Sequence, residues 1–244
     1  MRAGSVKQRN IARRDRIAGG TALRTAARRG TAARSLRTRA QLIEVAGQVF
    51  SVHGFDGATG QDICRRAGVH TAAIVYHFGG MARLYRAVLV EANRRLVTTE
   101  AIAAAVKAEA DPRRRLEAFL GMIVGALTSP ASQTWAGRLF GREFVMPSAV
   151  YGSEHDRALA ARAKMLKSIV GALTGRPPND PLVARACVST IAPCVLLLLV
   201  NRRKLKRLLP GLNLDADAAS QLTRHLVDFA LAGLGAIASP PPAL

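Results

Sequence analysis

Three thiols are the first residues whose chemistry the sequence raises. Cys64, Cys187 and Cys194 have no partner at CxxC spacing, and no His/Cys cluster has the spacing of a metal site. Cys187 and Cys194 are seven residues apart on one helical face. They fit either a redox pair at an interface or two buried structural thiols, and we favour the latter. Three cysteines so widely spaced exclude a disulfide scaffold and favour a reducing, cytoplasmic compartment.

The acidic and histidine side chains do not form a catalytic set. Glu143, His155 and Asp156 do not provide a nucleophile with its base and a third, orienting group. The sequence also contains no GxSxG, Walker, HExxH or GxGxxG motif. We therefore expect that the chain is not an enzyme and uses no metal or cofactor.

The charge of the chain points to binding chemistry instead. Lys and Arg number 36 against 16 Asp and Glu, a formal charge of +20. Such an excess favours a polyanionic partner, either nucleic acid or an anionic membrane surface. The most apolar stretch, Ala186 to Val200, contains Pro193 and is shorter than the roughly 20 residues of a membrane span. We interpret it as a buried interface helix and expect no membrane partner.

Residues 1–35 form a distinct basic segment. They hold ten basic residues and one acid, Asp15, with almost no large apolar side chains. Such a segment cannot bury enough surface to offset its ordering entropy, so we predict a disordered arm that follows DNA and adds affinity without specificity. The alternatives are a misannotated start, a spacer without function, or an organellar transit peptide.

Apolar spacing beyond the arm predicts helices. With 49% hydrophobic but only 5% aromatic residues, the composition favours helices over sheets. From Ser35 onward, apolar residues recur on one helical stripe, which Gly54 terminates. That stripe consists of Leu42, Ala46, Val49, Phe50 and His53.

A second and a third short helix follow, with a tight turn between them. Thr59 can cap the second helix, Gly68 ends it, and the third helix starts almost at once. The core predicted to fix the angle between these helices consists of Ile63, Ala67, Val69, Ile74, Phe78 and Leu84. Three short helices with a glycine turn between the second and third predict a helix-turn-helix.

The outward face of the third helix is predicted to lie in the major groove of DNA. Thr71 can hydrogen-bond a base or cap its own helix, and Ala72 and Val75 can meet a thymine methyl. Tyr76 and His77 suit phosphate contacts, which set the register. The predicted DNA-binding residues are Arg37, Arg39, Thr59, His70, Thr71, Ala72, Val75, Tyr76 and His77.

The remaining sequence predicts further helices and no strand, so the expected fold class is all-α. The expected helices lie from about 82 into the 100s, around 116–127, at 135–144, 154–173, about 182–205 and 215–237. We expect the last two to pair with their copies in a homodimer, with Leu197 and Leu198 in the interface.

The segment "TRAQLIEVAGQVFSVHGFDGATGQDICRRAGVHTAAIVYHFGGMARLYRAVL" resembles the DNA-binding domain of TetR/AcrR regulators. The resemblance implies a helix-turn-helix domain at 36–85, between the arm at 1–35 and a helical ligand-binding and dimerisation domain at 86–239. The chain departs from the family pattern at three positions. His70 stands where the family usually has a small capping residue. Val75 stands where an aromatic residue is expected, and Met81 stands where a lysine is common.

Residues 113–212 resemble the C-terminal domain of the CecR-type subfamily. The resemblance lies in "TWAGRLFGREF", "GRPPNDPLVARACVSTIAPC" and "NRRKLKRLLPGL", and implies a pocket for a small-molecule effector. Candidate ligand-binding residues, with an arginine available to an anionic or polar ligand, are Trp135, Arg138, Phe140, Arg142 and Phe144. The alternative is that the aromatic residues are plain core and the arginines are solvated.

These observations predict a ligand-responsive repressor in the bacterial cytoplasm, associated with the nucleoid. As a homodimer it would bind a palindromic operator in double-stranded DNA, and an unknown small molecule would release it. One alternative is a constitutive architectural or nucleoid-type DNA-binding protein with little sequence preference. Another is a helical enzyme or carrier that has kept a vestigial helix-turn-helix.

Overall fold

The computed structural model describes residues 30, 32–150, 152–200 and 202–238. Within these ranges the regular structure is helical without strands, as predicted. The helices are α1 (32–53), α2 (Gly60–Arg66), α3 (Ala72–Phe78), α4 (Met81–Leu96), α5 (Thr99–Lys107), α6 (Pro112–Thr128), α7 (Trp135–Val145), α8 (Gly152–Thr174), α9 (Pro181–Leu199), α10 (Arg202–Leu208) and α11 (Ala219–Ala238). Short 3-10 turns at Pro130–Gln133 and Ala216–Ala218 precede α7 and α11.

The predicted arm lies mostly outside the described residues. Residues 1–29 and 31 are not described, so its predicted disorder stays a prediction. Residues 32–35 already belong to α1, however, so the first helix begins earlier than the arm boundary at residue 35 predicted.

The predicted stripe of α1 and the small core of α2 and α3 form one buried cluster with α4. Leu42, Phe50 and Ile63 are fully buried, whereas Val69 is half-buried at the edge of the cluster. His53 was predicted on the apolar stripe but is exposed in the last turn of α1, where its polar imidazole gains nothing from burial. Gly54, at a φ of 72°, then ends α1 in the left-handed conformation that glycine tolerates best.

Two predicted helices are each divided in the structure. The helix expected from about 82 into the 100s breaks at Val97, whose backbone is extended, and Thr98 caps α5 by accepting a hydrogen bond from the Ala101 N–H. The helix expected over about 182–205 ends at Leu199, and α10 begins separately at Arg202. In both cases the apolar spacing continues across a residue at which the backbone leaves the helical conformation.

The C-terminal helices α5, α6, α8, α9 and α11 bury a second apolar cluster. α6 lies at its centre and packs against α5, α8, α9 and α11. Asp180 caps α9, with Oδ1 accepting from the Leu182 N–H at 2.7 Å, and Pro181 opens the helix as predicted.

α9 is long and apolar enough, by length and composition, to cross a membrane, a criterion that core helices of soluble proteins also meet. Only 22% of its most apolar window is buried within the chain. The prediction of a buried interface helix concerns a second copy of the chain and stays a prediction. The inner side of α9 packs on the bundle, and its outer side is uncovered.

α7 joins the two clusters. Trp135, Ala136 and Leu139 belong to the N-terminal cluster, where α7 packs along α4. The predicted domain boundary between residues 85 and 86 falls inside α4, whose buried residues extend to Ala92.

Candidate DNA interface and effector cavity

The outward side of α3 is well exposed. Tyr76 is 79% exposed and Val75 is 66% exposed, while Ile74 and Phe78 are buried against α1 and α4. The predicted DNA-binding residues of this helix, His70, Thr71, Ala72, Val75 and Tyr76, are all exposed, and His77 is half-buried. The fold thus exposes five of these six residues on and just before a short, anchored helix.

The capping of α3 excludes one of the two roles predicted for Thr71, that of capping its own helix. Thr71 makes no side-chain capping hydrogen bond. Instead the Ala72 N–H donates to Nδ1 of His70 at 3.2 Å, so the imidazole supplies the acceptor that a small capping residue usually provides. The Thr71 hydroxyl is therefore not used in capping and is available for a contact beyond the chain.

The approach to α3 is basic. Arg37 and Arg39 are exposed on α1, and the Arg39 guanidinium lies 5.0 Å from the centre of the Phe78 ring. Thr59 is also exposed, but its hydroxyl caps α2 by accepting from the Asp62 N–H at 3.2 Å. Of these three predicted contact residues, Arg39 lies against α3 itself, through the Phe78 ring.

On α2, Asp62 forms ion pairs with Arg65 at 2.6 Å and with Arg66 at 2.8 Å. Hydrogen bonds from these two guanidinium groups lower the pKa of the Asp62 carboxyl. The carboxylate offsets part of their positive charge and positions both arginines on the exposed side of α2.

An apolar cavity of about 460 Å³ lies within the C-terminal helices. We call it the effector cavity. Phe119, Phe140 and Phe144 contribute to its wall, together with aliphatic residues of α6, α8 and α9. Its few polar side chains include Asn93, and Arg162 donates to the Asn93 Oδ1 at 3.2 Å. This size and lining suit an apolar small molecule with few polar groups.

A second cavity, of about 610 Å³, is lined by four arginines and, among its described lining residues, by no carboxylate. We call it the arginine cavity. Its basic side chains are Arg138, Arg142, Arg202 and Arg203. Leu127 and Leu198 line both cavities, so the two spaces adjoin at these leucines.

The five predicted ligand-binding residues divide among three places. Phe140 and Phe144 line the effector cavity, and Arg138 and Arg142 line the arginine cavity. Trp135 lines neither. It is buried in the N-terminal cluster, where its Nε1 donates to Glu44 at 2.8 Å and Arg95 lies 4.8 Å from the centre of its ring.

Both C-terminal thiols, Cys187 and Cys194, line the effector cavity. Burial raises the pKa of each thiol, to about 11 for Cys194. Both thiols are therefore protonated at neutral pH, which disfavours thiolate-based redox chemistry.

The two halves of the chain meet at a buried carboxylate on α7. Glu143 accepts a hydrogen bond from the Tyr85 hydroxyl at 2.5 Å and further ones from the backbone N–H and the hydroxyl of Ser148. Burial and the carboxylate raise the pKa of Tyr85, which stays protonated as the donor. Phe140 and Phe144, which line the effector cavity, lie within one turn of Glu143 on the neighbouring side of α7, so one helix contacts both α4 and the effector cavity.

Most residues of the cavity wall have no marker in the sequence. Phe119, Ile123, Leu166 and Ile191 recur at ordinary helical spacing, which predicts burial but does not distinguish core from cavity. Arg202 lies in the segment "NRRKLKRLLPGL". Only the packing of α10 beside α7 and α9 brings it to the arginine cavity.

Two family profiles match the chain. The family described as "Bacterial regulatory proteins, tetR family" matches residues 42–88. The family described as "HTH-type transcriptional dual regulator CecR, C-terminal domain" matches residues 112–237, more than half of the chain. The first match contains α2, α3 and most of α1, and the second spans the helices that enclose both cavities.

Two individual regulators are also similar in sequence to part of the chain. Over 61 residues, 25% of the chain, it is 41% identical to the uncharacterized HTH-type transcriptional regulator TtgW and to the HTH-type transcriptional regulator SrpR, both from Pseudomonas putida. These segments span 46% of TtgW and 29% of SrpR, so the chain covers less than half of either relative.

Solved structures share the fold across most of the chain. The ketosteroid transcriptional regulator KstR2 of Mycobacterium tuberculosis has a TM-score of 0.58 at 19% identity, covering 80% of this chain and 93% of that one. The fatty acid degradation regulator FadR from Bacillus halodurans has a TM-score of 0.57 at 16% identity. The match covers 81% of this chain and 96% of FadR.

Proposed function

Because the chain belongs to the TetR family of bacterial transcriptional regulators and carries a CecR-type C-terminal domain, we propose that it is a ligand-responsive repressor. As a homodimer it binds a palindromic operator through α3, and a small molecule in the effector cavity releases it. The observation that carries this proposal is the outward side of α3, which presents exposed side chains on a helix anchored by Ile74 and Phe78.

Sequence recognition is assigned to the first turn of α3. A recognition helix enters the major groove with its N-terminal residues against the base edges. Thr71 and Ala72 lie there, and the Thr71 hydroxyl is not used in capping. Tyr76 lies more than one turn later, where a phenolic hydroxyl suits a phosphate and sets the register.

Dimerisation is assigned to the uncovered sides of α9 and α11, which pack against each other. Val188 is 66% exposed and Leu196 is 52% exposed on α9, and Phe229 is 72% exposed on α11. Exposed apolar side chains of this size on adjacent helices favour a second copy of the chain as their partner. The positions predicted earlier, Leu197 and Leu198, pack inward against the C-terminal cluster and are not suited to this role.

We assign the release of the repressor from its operator to a movement of α7. A dimer that binds two successive major grooves holds its recognition helices about 34–36 Å apart. A ligand that prefers another position of α7 changes that separation, because α7 both packs on α4 and lines the effector cavity through Phe140 and Phe144. The loss of operator affinity equals the difference between the ligand's binding free energies for the two states.

The experiment that tests sequence recognition compares Thr71→Ala with Tyr76→Phe on a duplex selected from a randomised library and on a scrambled duplex. We expect Thr71→Ala to cost about 1–3 kcal/mol on the selected duplex and little on the scrambled one. Tyr76→Phe should weaken both by similar amounts, since a phosphate is the same beneath every base. The melting temperature of Thr71→Ala should be unchanged, because His70 supplies the cap.

An unchanged ratio of the two affinities in Thr71→Ala would show that α3 does not recognise sequence. A constitutive architectural DNA-binding protein would then be the better account. If no DNA is bound even at low salt, the chain is not a regulator of this type.

A further inference from the structure

We propose that the effector cavity and the arginine cavity form one bipartite site for an amphipathic anion. The apolar body of the ligand lies among the phenylalanines of the effector cavity. Its carboxylate or phosphate end lies on Arg138, Arg142 and Arg202. The inference rests on the proposed function, in which the C-terminal helices hold the effector.

The adjacency of the two cavities is the first argument. Leu127 and Leu198 line both, so the boundary between them is made partly of leucine side chains. Leu198 lies next to the last residue of α9 and is only half-buried. A half-buried leucine can exchange rotamers readily, so the boundary can open for a ligand that extends into both spaces.

The opposite chemical character of the two cavities is the second argument. The effector cavity has a mainly apolar wall with three phenylalanines and two cations, Arg162 and Lys167, whereas the arginine cavity has four guanidinium groups; neither has a carboxylate among its described lining residues. Arg202 donates to the carbonyl of Leu214 at 3.3 Å and to the hydroxyl of Ser132 at 2.9 Å, both neutral acceptors, while the Asp215 carboxylate, which pairs with Lys206, also attracts it electrostatically. Guanidinium groups bind carboxylate and phosphate through paired, charge-assisted hydrogen bonds, so the charge in this cavity favours an anion.

Arg142 connects the anionic end of this site to the DNA-binding half. It lies so close to Gly54, at the end of α1, that a Cβ on Gly54 would lie 2.5 Å from its Nη2. An anion that draws the Arg142 guanidinium into the arginine cavity therefore changes a contact with α1. Both ends of the ligand act on α7, through Phe140 and Phe144 at one end and Arg142 at the other.

Calorimetric titration of the full chain with decanoate, decyl phosphate and decanol tests the bipartite site. We expect at least one of the two anions to bind about tenfold tighter than decanol, roughly the contribution of one charge-assisted hydrogen bond. Whichever anion binds more tightly identifies the head group as carboxylate or phosphate. Arg142→Gln should remove the preference for the anion, and Arg142→Lys should restore part of it.

Three further variants locate the two ends of the ligand. Lys167→Gln, which removes a cation of the effector cavity, and Arg114→Gln, an exposed arginine that lines neither cavity, should keep the preference. Leu198→Trp should fill the boundary between the cavities and reduce the affinity for the anion to that for decanol. Circular dichroism of each variant checks that it is folded.

Equal binding of decanol and the anions, or no binding of any probe, overturns the bipartite site. So does a preference that Lys167→Gln removes and Arg142→Gln leaves intact. None of these results affects the proposed repressor if the chain still binds its selected duplex. Conversely, an Arg142-dependent preference in a chain that binds no DNA supports this site and contradicts the repressor.

Discussion

Glu91 connects several charged side chains where α1, α4 and α7 meet. Its carboxylate accepts from Arg94 and Arg95 at 2.8 Å, and Arg95 also pairs with Glu44 at 2.9 Å. The Arg95 guanidinium in turn lies against the ring of Trp135. Hydrogen bonds from the two arginines lower the pKa of Glu91 to about 2.

Glu91 therefore makes stability depend on pH in a defined direction. Because the folded pKa of about 2 is below the ordinary 4.5, the stabilisation is complete above pH 4.5 and is lost as the pH falls from 4.5 towards 2. Glu91→Gln should lower the free energy of unfolding by about 1 kcal/mol at neutral pH, allowing for solvent screening. The difference from wild type should disappear near pH 2 in urea titrations. Glu117→Gln, at an exposed acid of α6, is the control. If the free energies of unfolding of Glu91→Gln and the wild type differed by the same amount at every pH, this role of Glu91 would be contradicted.

At the residue scale, the sequence predicted exposure better than hydrogen bonding. Helical spacing correctly placed Ile74 and Phe78 inward and Val75 and Tyr76 outward, because the period of the helix fixes the direction of each side chain. It left open whether His70 or Thr71 caps α3, since the hydrogen bond to His70 depends on the orientation of one imidazole ring.

At the scale of elements, α7 is the helix on which the proposed release depends. Its buried Glu143 is held by donors from both α4 and the following loop. A buried carboxylate is costly unless its oxygens accept hydrogen bonds, so Tyr85 and Ser148 stabilise α7 in one position against α4.

A double-mutant cycle measures this contact. Glu143→Gln and Tyr85→Phe should each lower the free energy of unfolding by about 1–3 kcal/mol, because each leaves a buried partner incompletely satisfied. The double variant should cost less than the sum, with an interaction energy of about 0.5–3 kcal/mol from denaturant unfolding. Strict additivity would show that the hydrogen bond between Tyr85 and Glu143 does not couple α4 to α7.

Helix boundaries were predictable where the sequence marks them chemically. Asp180 and Pro181 marked the start of α9, and Gly54 marked the end of α1. The break before α5 also has a chemical marker, since Thr98 caps the helix and Glu100 lies in its first turn, but the continuing apolar spacing obscured it. The end of α9 at Leu199 has no comparable marker, because an extended Val200 follows a run of leucines.

At the scale of the whole molecule, composition predicted an interface helix but not which side of it is uncovered. One side of α9 packs on the C-terminal cluster and the other side faces solvent. Leucines that are adjacent in the sequence therefore differ, some packing on the cluster and others being exposed. Of the two cavities, the C-terminal resemblance predicted only side chains that α7 contributes, Phe140 and Phe144 to the effector cavity and Arg138 and Arg142 to the arginine cavity. The rest of each wall depends on how the other helices pack around α7, and helical spacing gives no information about that packing.

The central claim is that two copies of the chain together bind a palindrome, and one comparison of affinities tests it most directly. The wild type and Leu196→Asp are titrated with the selected palindromic duplex and with a duplex that keeps only one half-site. Leu208→Asp, at a similarly exposed leucine of α10, is the matched control. Sedimentation gives the oligomeric state of each protein.

We expect the wild type and Leu208→Asp to be dimers that bind the palindrome at least about a hundredfold more tightly than the half-site, since the second recognition helix binds at high effective concentration. Leu196→Asp should be monomeric and bind both duplexes with the same low affinity. A monomeric wild type, or a Leu196→Asp variant that keeps the preference for the palindrome, would contradict the proposed repressor.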